Sequence, residues 1–143
     1  MEYILAIDPG REKNGVAVVS AAGQVLCQSV VETGRLVAHL KELLARHAVT
    51  VIVIGNRTGG RKLSQHLRAL GLEENRAIVS VDEDYSTEEG RRLYWRENPP
   101  RGLRRFLPTS LQVPPRPIDD YVARILAARY LALKTSAGEK TES

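Results

Sequence analysis

Five short runs of β-branched and other apolar residues lie along this chain, and their order constrains its fold more than any other feature. Three of the runs follow one another directly, separated by turns rich in glycine and proline, and two more alternate with segments of helical periodicity. The predicted strands are residues 3–8, 15–20, 24–31, 50–54 and 77–81. Three consecutive strands can form a meander, and strands that alternate with helices extend the same sheet. The sequence therefore predicts an α/β fold with a mixed five-stranded sheet and helices on both faces.

Helical periodicity predicts four helices. The first spans residues 34–47, and the second spans residues 61–70 and ends before Gly71, a typical C-cap glycine. Ser86 and Glu89 have the spacing of a capping box, which predicts a helix from Ser86 to about residue 96. The last helix is expected over residues 118–134, followed by a disordered polar tail over residues 135–143. The order of elements is β-β-β-α-β-α-β-α-α in a single domain over residues 1–134.

Composition limits the possible partners and compartments. The chain has 143 residues and a formal net charge of +4, with 16 arginines and 5 lysines. An excess of arginine favours a polyanion such as nucleic acid as the partner. The single cysteine, Cys27, excludes an internal disulfide and a cysteine-based zinc site. No targeting segment or membrane span is recognisable in the sequence, so we expect a cytoplasmic protein that does not interact with membranes.

Acidic residues stand at the ends of three separate elements. Asp8 ends the first predicted strand, residues 82–84 (DED) follow the last strand, and Asp119 and Asp120 open the last helix. Turn chemistry or the helix macrodipole would explain each position taken alone. Their coincidence is less easily explained, because strand ends and a helix start can converge at one edge of a sheet. Converging carboxylates would bind Mg²⁺ and could act on a phosphodiester.

A basic segment over residues 91–117 supplies a second candidate site. It carries a net charge of +6, contains six of the seven prolines, and interleaves Tyr94, Trp95 and Phe106 with its arginines. Arginines with aromatic residues can bind phosphates and stack on bases, although a solvated loop with Trp95 in the core would also explain the pattern. The candidate nucleic-acid-binding residues here are Arg91, Arg92, Arg96, Arg101, Arg104 and Arg105.

The loop over residues 55–62 (GNRTGGRK) comes close to a phosphate-binding P-loop. That motif requires lysine followed by serine or threonine, whereas this chain has Arg61 and Lys62. An NTPase is therefore disfavoured. Arg57, Arg61 and Lys62 remain candidates for contacts with nucleic-acid phosphates.

Three motifs in this order resemble the YqgF family. They are residues 4–18 (ILAIDPGREKNGVAV), residues 81–87 (VDEDYST) and residues 118–120 (IDD) with the helix that follows. The family has a ribonuclease H-like fold, as do the RuvC resolvases, and is described both as predicted Holliday junction resolvases and as nucleases that process pre-16S rRNA. In place of the family's Gly-x-Pro loop this chain has Gly55-Asn56-Arg57, which is more similar to the YqgF-like domain of Tex-type transcription accessory factors.

The resemblance implies a Mg²⁺-dependent endonuclease, with Mn²⁺ as a possible substitute. It places the catalytic and metal-binding acids at Asp8, Glu83 and Asp119, with Asp120 as an additional metal ligand. The implied substrate is structured RNA or branched DNA, in pre-16S rRNA 5′-end processing or Holliday junction resolution, for a monomer or a homodimer. Two positions depart from the family, which often has arginine at Asp84 and a basic residue at Glu12.

Two other functions are compatible with parts of the sequence. One is a non-catalytic RNA-binding module on the same fold, which the presence of all three acids disfavours. The other is an ATPase related to actin or the sugar kinases, whose opening Asp-x-Gly turn is similar. Such ATPases need two halves of this kind, and 143 residues can hold only one.

Overall fold

A central strand, β1, organises the fold in a computed structural model that describes residues 2–141. It lies in a five-stranded sheet of order β3-β2-β1-β4-β5. The strands are β1 (Tyr3–Asp8), β2 (Lys13–Ser20), β3 (Val25–Glu32), β4 (Val49–Gly55) and β5 (Ala77–Val81), and the helices are α1 (Leu36–Arg46), α2 (Thr58–Ala69), α3 (Ser86–Glu97) and α4 (Asp119–Thr141). The predicted five-stranded α/β sheet is confirmed.

The register of the sheet brings the ends of several strands to one edge. Strand β1 pairs antiparallel with β2 and parallel with β4, so the sheet is mixed as predicted. Asp8, at the end of β1, lies opposite Gly15 of β2. Strands β4 and β5 are parallel, and Gly55 lies opposite Val81. The residues that follow β1, β4 and β5 therefore emerge at the same edge.

Each face of the sheet has its own hydrophobic core. On one face, Leu40 of α1 and Leu67 of α2 are fully buried against side chains such as Leu5 and Ile52. On the other face, Leu126 of α4 packs with small and β-branched residues of the sheet. Helix α3 packs on the outside of α4. Among residues 2–141, no helix has both the length and the apolar character needed to cross a membrane.

The start of α3 differs from the predicted capping box. Ser86 is the first residue of the helix, and no side chain caps it. The capping position belongs to Tyr85, whose φ of 62° lies in the left-handed region. The physical reason is a tight turn in which the Ser86 N–H donates to the Glu83 carbonyl, while Glu89 pairs with Arg129 of α4. The turn thus ties the start of α3 directly to Glu83.

The C-terminal region also differs from the prediction. Residues 135–141, expected to be disordered, continue helix α4. Thr135 remains compatible with the helix because its hydroxyl donates to the carbonyl of Leu131 one turn earlier. Residues 142 and 143 of the predicted tail lie outside the described residues. Between α3 and α4, the proline-rich segment contains only two 3-10 turns, Gly102–Phe106 and Thr109–Leu111.

A glycine on β2 determines how closely α4 approaches the sheet. A Cβ atom on Gly15 would overlap the backbone carbonyl group of Asp119 and would lie 2.9 Å from the Asp120 nitrogen. No other residue would therefore leave room for the first turn of α4 at this distance. Because Gly15 lies opposite Asp8, the same contact places Asp119 next to the end of β1.

We predict that Gly15→Ala destabilises the protein by about 2 kcal/mol or more, because the added methyl group must displace the start of α4. Gly34→Ala is the matched control, since a Cβ at Gly34 meets open space. It should change the free energy of unfolding by no more than about 0.5 kcal/mol. Urea denaturation of both variants is the measurement. Equal stability of the two variants would show that the close approach at Gly15 is not required.

Candidate active site

The turn after Asp8 is held by a buried asparagine. Asn14 of β2 is 2% exposed, and its side-chain oxygen accepts a hydrogen bond from the Gly10 N–H at 3.0 Å. Its amide nitrogen donates to the carbonyl of Val31 at 3.2 Å and to the hydroxyl of Thr33 at 3.1 Å. Sequence reasoning did not single out Asn14. The only available signal was a polar residue at the start of an otherwise apolar strand.

Glu83 reaches the same edge of the sheet from β5. It is 4% exposed, and one carboxylate oxygen accepts a hydrogen bond from the Arg57 backbone N–H at 2.9 Å. The Arg57 guanidinium lies 3.6 Å from that oxygen. The carboxyl group packs against Gly55, where a Cβ would collide with it. Glycine at the end of β4 thus makes room for a buried carboxylate, and the following loop holds it.

Electrostatics show that Asp8, Glu83 and Asp119 converge, and we call these three residues the carboxylate cluster. The pKa of Asp8 is raised from 3.8 to about 7, chiefly by burial and further by the negative charges of Glu83 and then Asp119. The positive charge of Arg57 lowers this pKa in part. One arginine therefore faces three acids, and the cluster carries uncompensated negative charge.

Asp120 does not share the surroundings of the cluster. Its carboxylate is 3% exposed and accepts two hydrogen bonds from the Arg116 guanidinium, at 3.1 and 3.2 Å. The Gln28 side chain of β3 donates a third at 2.8 Å. The structure thus places the predicted additional metal ligand in a buried ion pair, because the helical turn directs it toward β3. This ion pair connects the start of α4 to the sheet and to the segment before the helix.

The remaining acids after β5 are solvated. Asp82 and Asp84 are both exposed, and the Asp84 N–H donates to the Asp82 side chain at 3.0 Å. Of the three adjacent acids in this sequence, only Glu83 turns inward.

The chemistry of the carboxylate cluster fits a hard divalent cation. Carboxylate oxygens are the ligands that Mg²⁺ prefers, and the excess negative charge would favour its binding. Within residues 2–141, no three His, Cys, Asp or Glu side chains already form a group able to hold a metal ion. Mutual repulsion and the Arg57 contact to Glu83 both act to keep the carboxylates apart. Asp8, Glu83 and Asp119 are the residues that would hold the ion.

The predicted basic residues fall into separate groups. Arg101 and Arg104 line a cleft beside Trp95. Arg91 and Arg92 line a second cleft, and Trp95 borders this one as well. Two others lie elsewhere: Arg105 stacks over Phe106 at 4.8 Å, and Arg96 lines a cavity between α4 and strands β2 and β3. Arg57 contacts the carboxylate cluster, whereas Arg61 and Lys62 are exposed in the first turns of α2.

Comparison with known proteins identifies the family of this chain. Residues 2–94 match the family model described as the Tex protein YqgF-like domain. No curated protein matches the chain in sequence at a significant level.

Solved structures with the same fold cover nearly the whole chain. The Thermus thermophilus RuvC structure is 16% identical with a TM-score of 0.63, and the match covers 94% of this chain and 96% of the RuvC chain. T. thermophilus RuvC in complex with Holliday junction substrate is 19% identical with a TM-score of 0.59, covering 93% and 96%. The fowlpox virus Holliday junction resolvase is 10% identical with a TM-score of 0.56, covering 91% and 97%. The ribonuclease H-like fold predicted from the sequence is confirmed.

We predict that Asp8→Asn stabilises the metal-free protein at alkaline pH. An acid whose pKa is raised on folding stabilises the native state below its unfolded pKa, and this contribution is lost as pH rises through the folded value. Wild type should therefore lose stability relative to Asp8→Asn between pH 4 and about pH 7. The loss should reach up to about 4 kcal/mol at pH 8.

Chemical denaturation in the presence of a chelator, with both proteins compared at each pH, measures this difference. Asp84→Asn is the control, because it neutralises an exposed carboxylate outside the cluster and should leave the free energy of unfolding close to that of wild type. A constant difference between wild type and Asp8→Asn from pH 4 to pH 8 would contradict the proximity of the three carboxylates.

Proposed function

This chain belongs to the family of Tex protein YqgF-like domains, and from that premise we propose that it is a metal-dependent nuclease that hydrolyses phosphodiester bonds in structured nucleic acid. The observation that carries the proposal is the convergence of Asp8, Glu83 and Asp119 at one edge of the sheet. Burial of mutually repelling acids costs stability, so their convergence needs a reason other than folding. Binding of a divalent cation beside a phosphodiester is such a reason.

The three acids would have different roles in the reaction, because their surroundings differ. A divalent cation held by the cluster would supply Lewis-acid stabilisation of the charge that develops on the phosphodiester. Asp8 is central, because its pKa responds to both other acids. Glu83 is fixed by the Arg57 N–H, and Asp119 is fixed by the contact of its backbone with Gly15. The Glu83 carboxylate and the Asp119 backbone are thus positioned before the substrate arrives, which lowers the reorganisation required for the reaction.

The proposed substrate is structured RNA or branched DNA. The solved neighbours include RuvC in complex with Holliday junction substrate, which supports branched DNA through similarity of fold. Structured RNA is supported by the resemblance of the three sequence motifs to the YqgF family, which is described as including nucleases that process pre-16S rRNA. Either substrate would be bound by exposed arginines of the basic segment over residues 91–117. Pre-16S rRNA 5′-end processing and Holliday junction resolution are the two candidate reactions.

A second candidate function is a non-catalytic RNA-binding module. The observation that favours it is the position of Glu83, which already accepts a hydrogen bond from the Arg57 N–H and lies 3.6 Å from the Arg57 guanidinium. Within the described part of the chain, the cluster does not yet have the spacing of a metal site. In this alternative, Arg57 would be the permanent counter-ion that a cation would otherwise replace.

Cleavage assays distinguish the two functions. With Mg²⁺, wild type should cut a four-way DNA junction or an RNA precursor with a structured 5′ end. Asp8→Asn should reduce the cleavage rate by at least about 100-fold, because loss of one ligand charge weakens both cation binding and charge stabilisation. The variant should fold normally, as judged by its melting temperature without metal.

Asp84→Asn is the matched control, since it removes an exposed carboxylate one residue from Glu83. It should leave the rate within about a factor of three. Full cleavage activity in Asp8→Asn would contradict the assignment of the carboxylate cluster as the catalytic site. Binding of either substrate without cleavage by the wild type, at any Mg²⁺ or Mn²⁺ concentration, would favour the non-catalytic alternative.

A further inference from the structure

A cleft lies at the C-terminal end of α3, away from the carboxylate cluster. It has a volume of about 690 Å³, which falls in the range of small-ligand sites. Aromatic and proline side chains form much of its lining, among them Tyr94, Trp95, Pro99 and Pro115. None of the lining residues belongs to the cluster. Flat, rigid apolar walls of this kind suit a planar heteroaromatic ring.

Two side-chain amides in the cleft each retain a free acceptor. The Asn98 amide nitrogen donates to the Tyr94 carbonyl and to the Tyr121 hydroxyl, both at 3.0 Å. The Gln112 amide nitrogen donates to the carbonyls of Arg104 and Leu107. A carbonyl oxygen can only accept a hydrogen bond, so the amide atom that faces it must be the nitrogen. The amide oxygens of Asn98 and Gln112 therefore point elsewhere, and they remain unpaired within residues 2–141. Amide oxygens accept hydrogen bonds from the exocyclic amino groups of nucleobases.

The charge of the cleft is positive and uncompensated. Its one carboxylate, Glu97, is held by two hydrogen bonds from the Arg124 guanidinium, at 2.6 and 2.8 Å. Arg101 and Arg104 are exposed, and across the described residues neither guanidinium has a carboxylate within 4.0 Å. Free guanidinium groups beside an apolar cleft are suited to a phosphate that accompanies a planar ring.

Trp95 separates this cleft from its neighbour. It also borders the cleft of about 530 Å³ lined by Arg91, Arg92 and Pro108. In the part of the chain that the structure describes, the buried indole N–H of Trp95 has no hydrogen-bond acceptor. A buried donor without a partner is costly, so a ligand that supplied an acceptor would remove a penalty in the free energy. Trp95 is the only tryptophan in the chain.

We propose that the cleft beside Trp95 binds one unpaired nucleotide of a nucleic-acid strand, with its base against Trp95 and the prolines and its phosphate at Arg101 and Arg104. This inference rests on the proposed function and narrows the substrate class to nucleic acid with an accessible, unpaired base. A fully paired duplex could satisfy the arginines, but it could not place a base between the apolar walls.

The single tryptophan makes the test direct. Asp8→Asn, in which cleavage is blocked, is titrated with a short oligoadenylate while Trp95 emission is recorded. The same titration uses an oligomer of equal length with abasic sites and a duplex of the same strand. The oligoadenylate should shift or quench the emission at saturation, because a base stacks near the indole. The abasic oligomer and the duplex should bind through their phosphates and leave the emission unchanged.

Protein variants separate the cleft from general electrostatic attraction. Arg101→Ala/Arg104→Ala should weaken oligoadenylate binding and reduce the slope of log K against log salt by up to about two. Arg35→Ala/Lys41→Ala removes the same charge from two exposed positions, one directly before α1 and one within it, on the opposite face of the sheet. This charge-matched control should retain the emission change and most of the salt slope.

Each outcome bears on one of the two proposals. Equal emission changes with oligoadenylate, abasic oligomer and duplex, or no change with any of them, would overturn the nucleotide site. Cleavage by the wild type without a base-dependent emission change would leave the nuclease function intact and refute the cleft. A base-dependent emission change in a protein that never cleaves would support the cleft and refute the nuclease function.

Discussion

The mutual repulsion among Asp8, Glu83 and Asp119 is the constraint that the rest of the structure must satisfy. Burial and two neighbouring acids raise the pKa of Asp8 to about 7, so the charged cluster opposes folding at neutral pH. The two hydrophobic cores must offset this cost, and the fold supplies close backbone contacts that hold the acids together. Glycine at positions 15 and 55 is essential to this arrangement, because a side chain at either position would push an acid away.

The sheet and Asp8 could be predicted because they depend on local patterns. Apolar runs with period two and glycine–proline turns predict strands directly, and Asp8 ends such a run. The inward position of Glu83 depends on which of three adjacent acids faces Gly55, which is a long-range packing property. The sequence could not show it without the resemblance to the YqgF family. Asn14 was missed for the same reason, since its partners Val31 and Thr33 are distant in sequence.

Tertiary contacts act on residues whose type suggests a role, whether that role stays a prediction, as at Asp120, or is wrong, as at Ser86. Asp120 has the residue type of a metal ligand, but its carboxylate is already satisfied by Arg116 and Gln28. Ser86 has the residue type of a helix cap, but the turn from Glu83 makes it the first helical residue. A count of charges also overestimates the binding surface. Arg116 contributes to the +6 of the basic segment, yet it is paired with Asp120 and lies over the ring of Tyr121 at 5.2 Å.

The central claim, that three carboxylates interact at one edge of the sheet, can be tested by measuring the pKa of Asp8 itself. The measurement is an NMR titration of the Asp8 carboxyl carbon in the metal-free protein, compared between wild type and Glu83→Gln. We expect a midpoint of about 7 in wild type and a lower midpoint in Glu83→Gln, because a neutral side chain removes one repelling charge. A wild-type midpoint near the ordinary value of 3.8, or the same midpoint in both proteins, would contradict it.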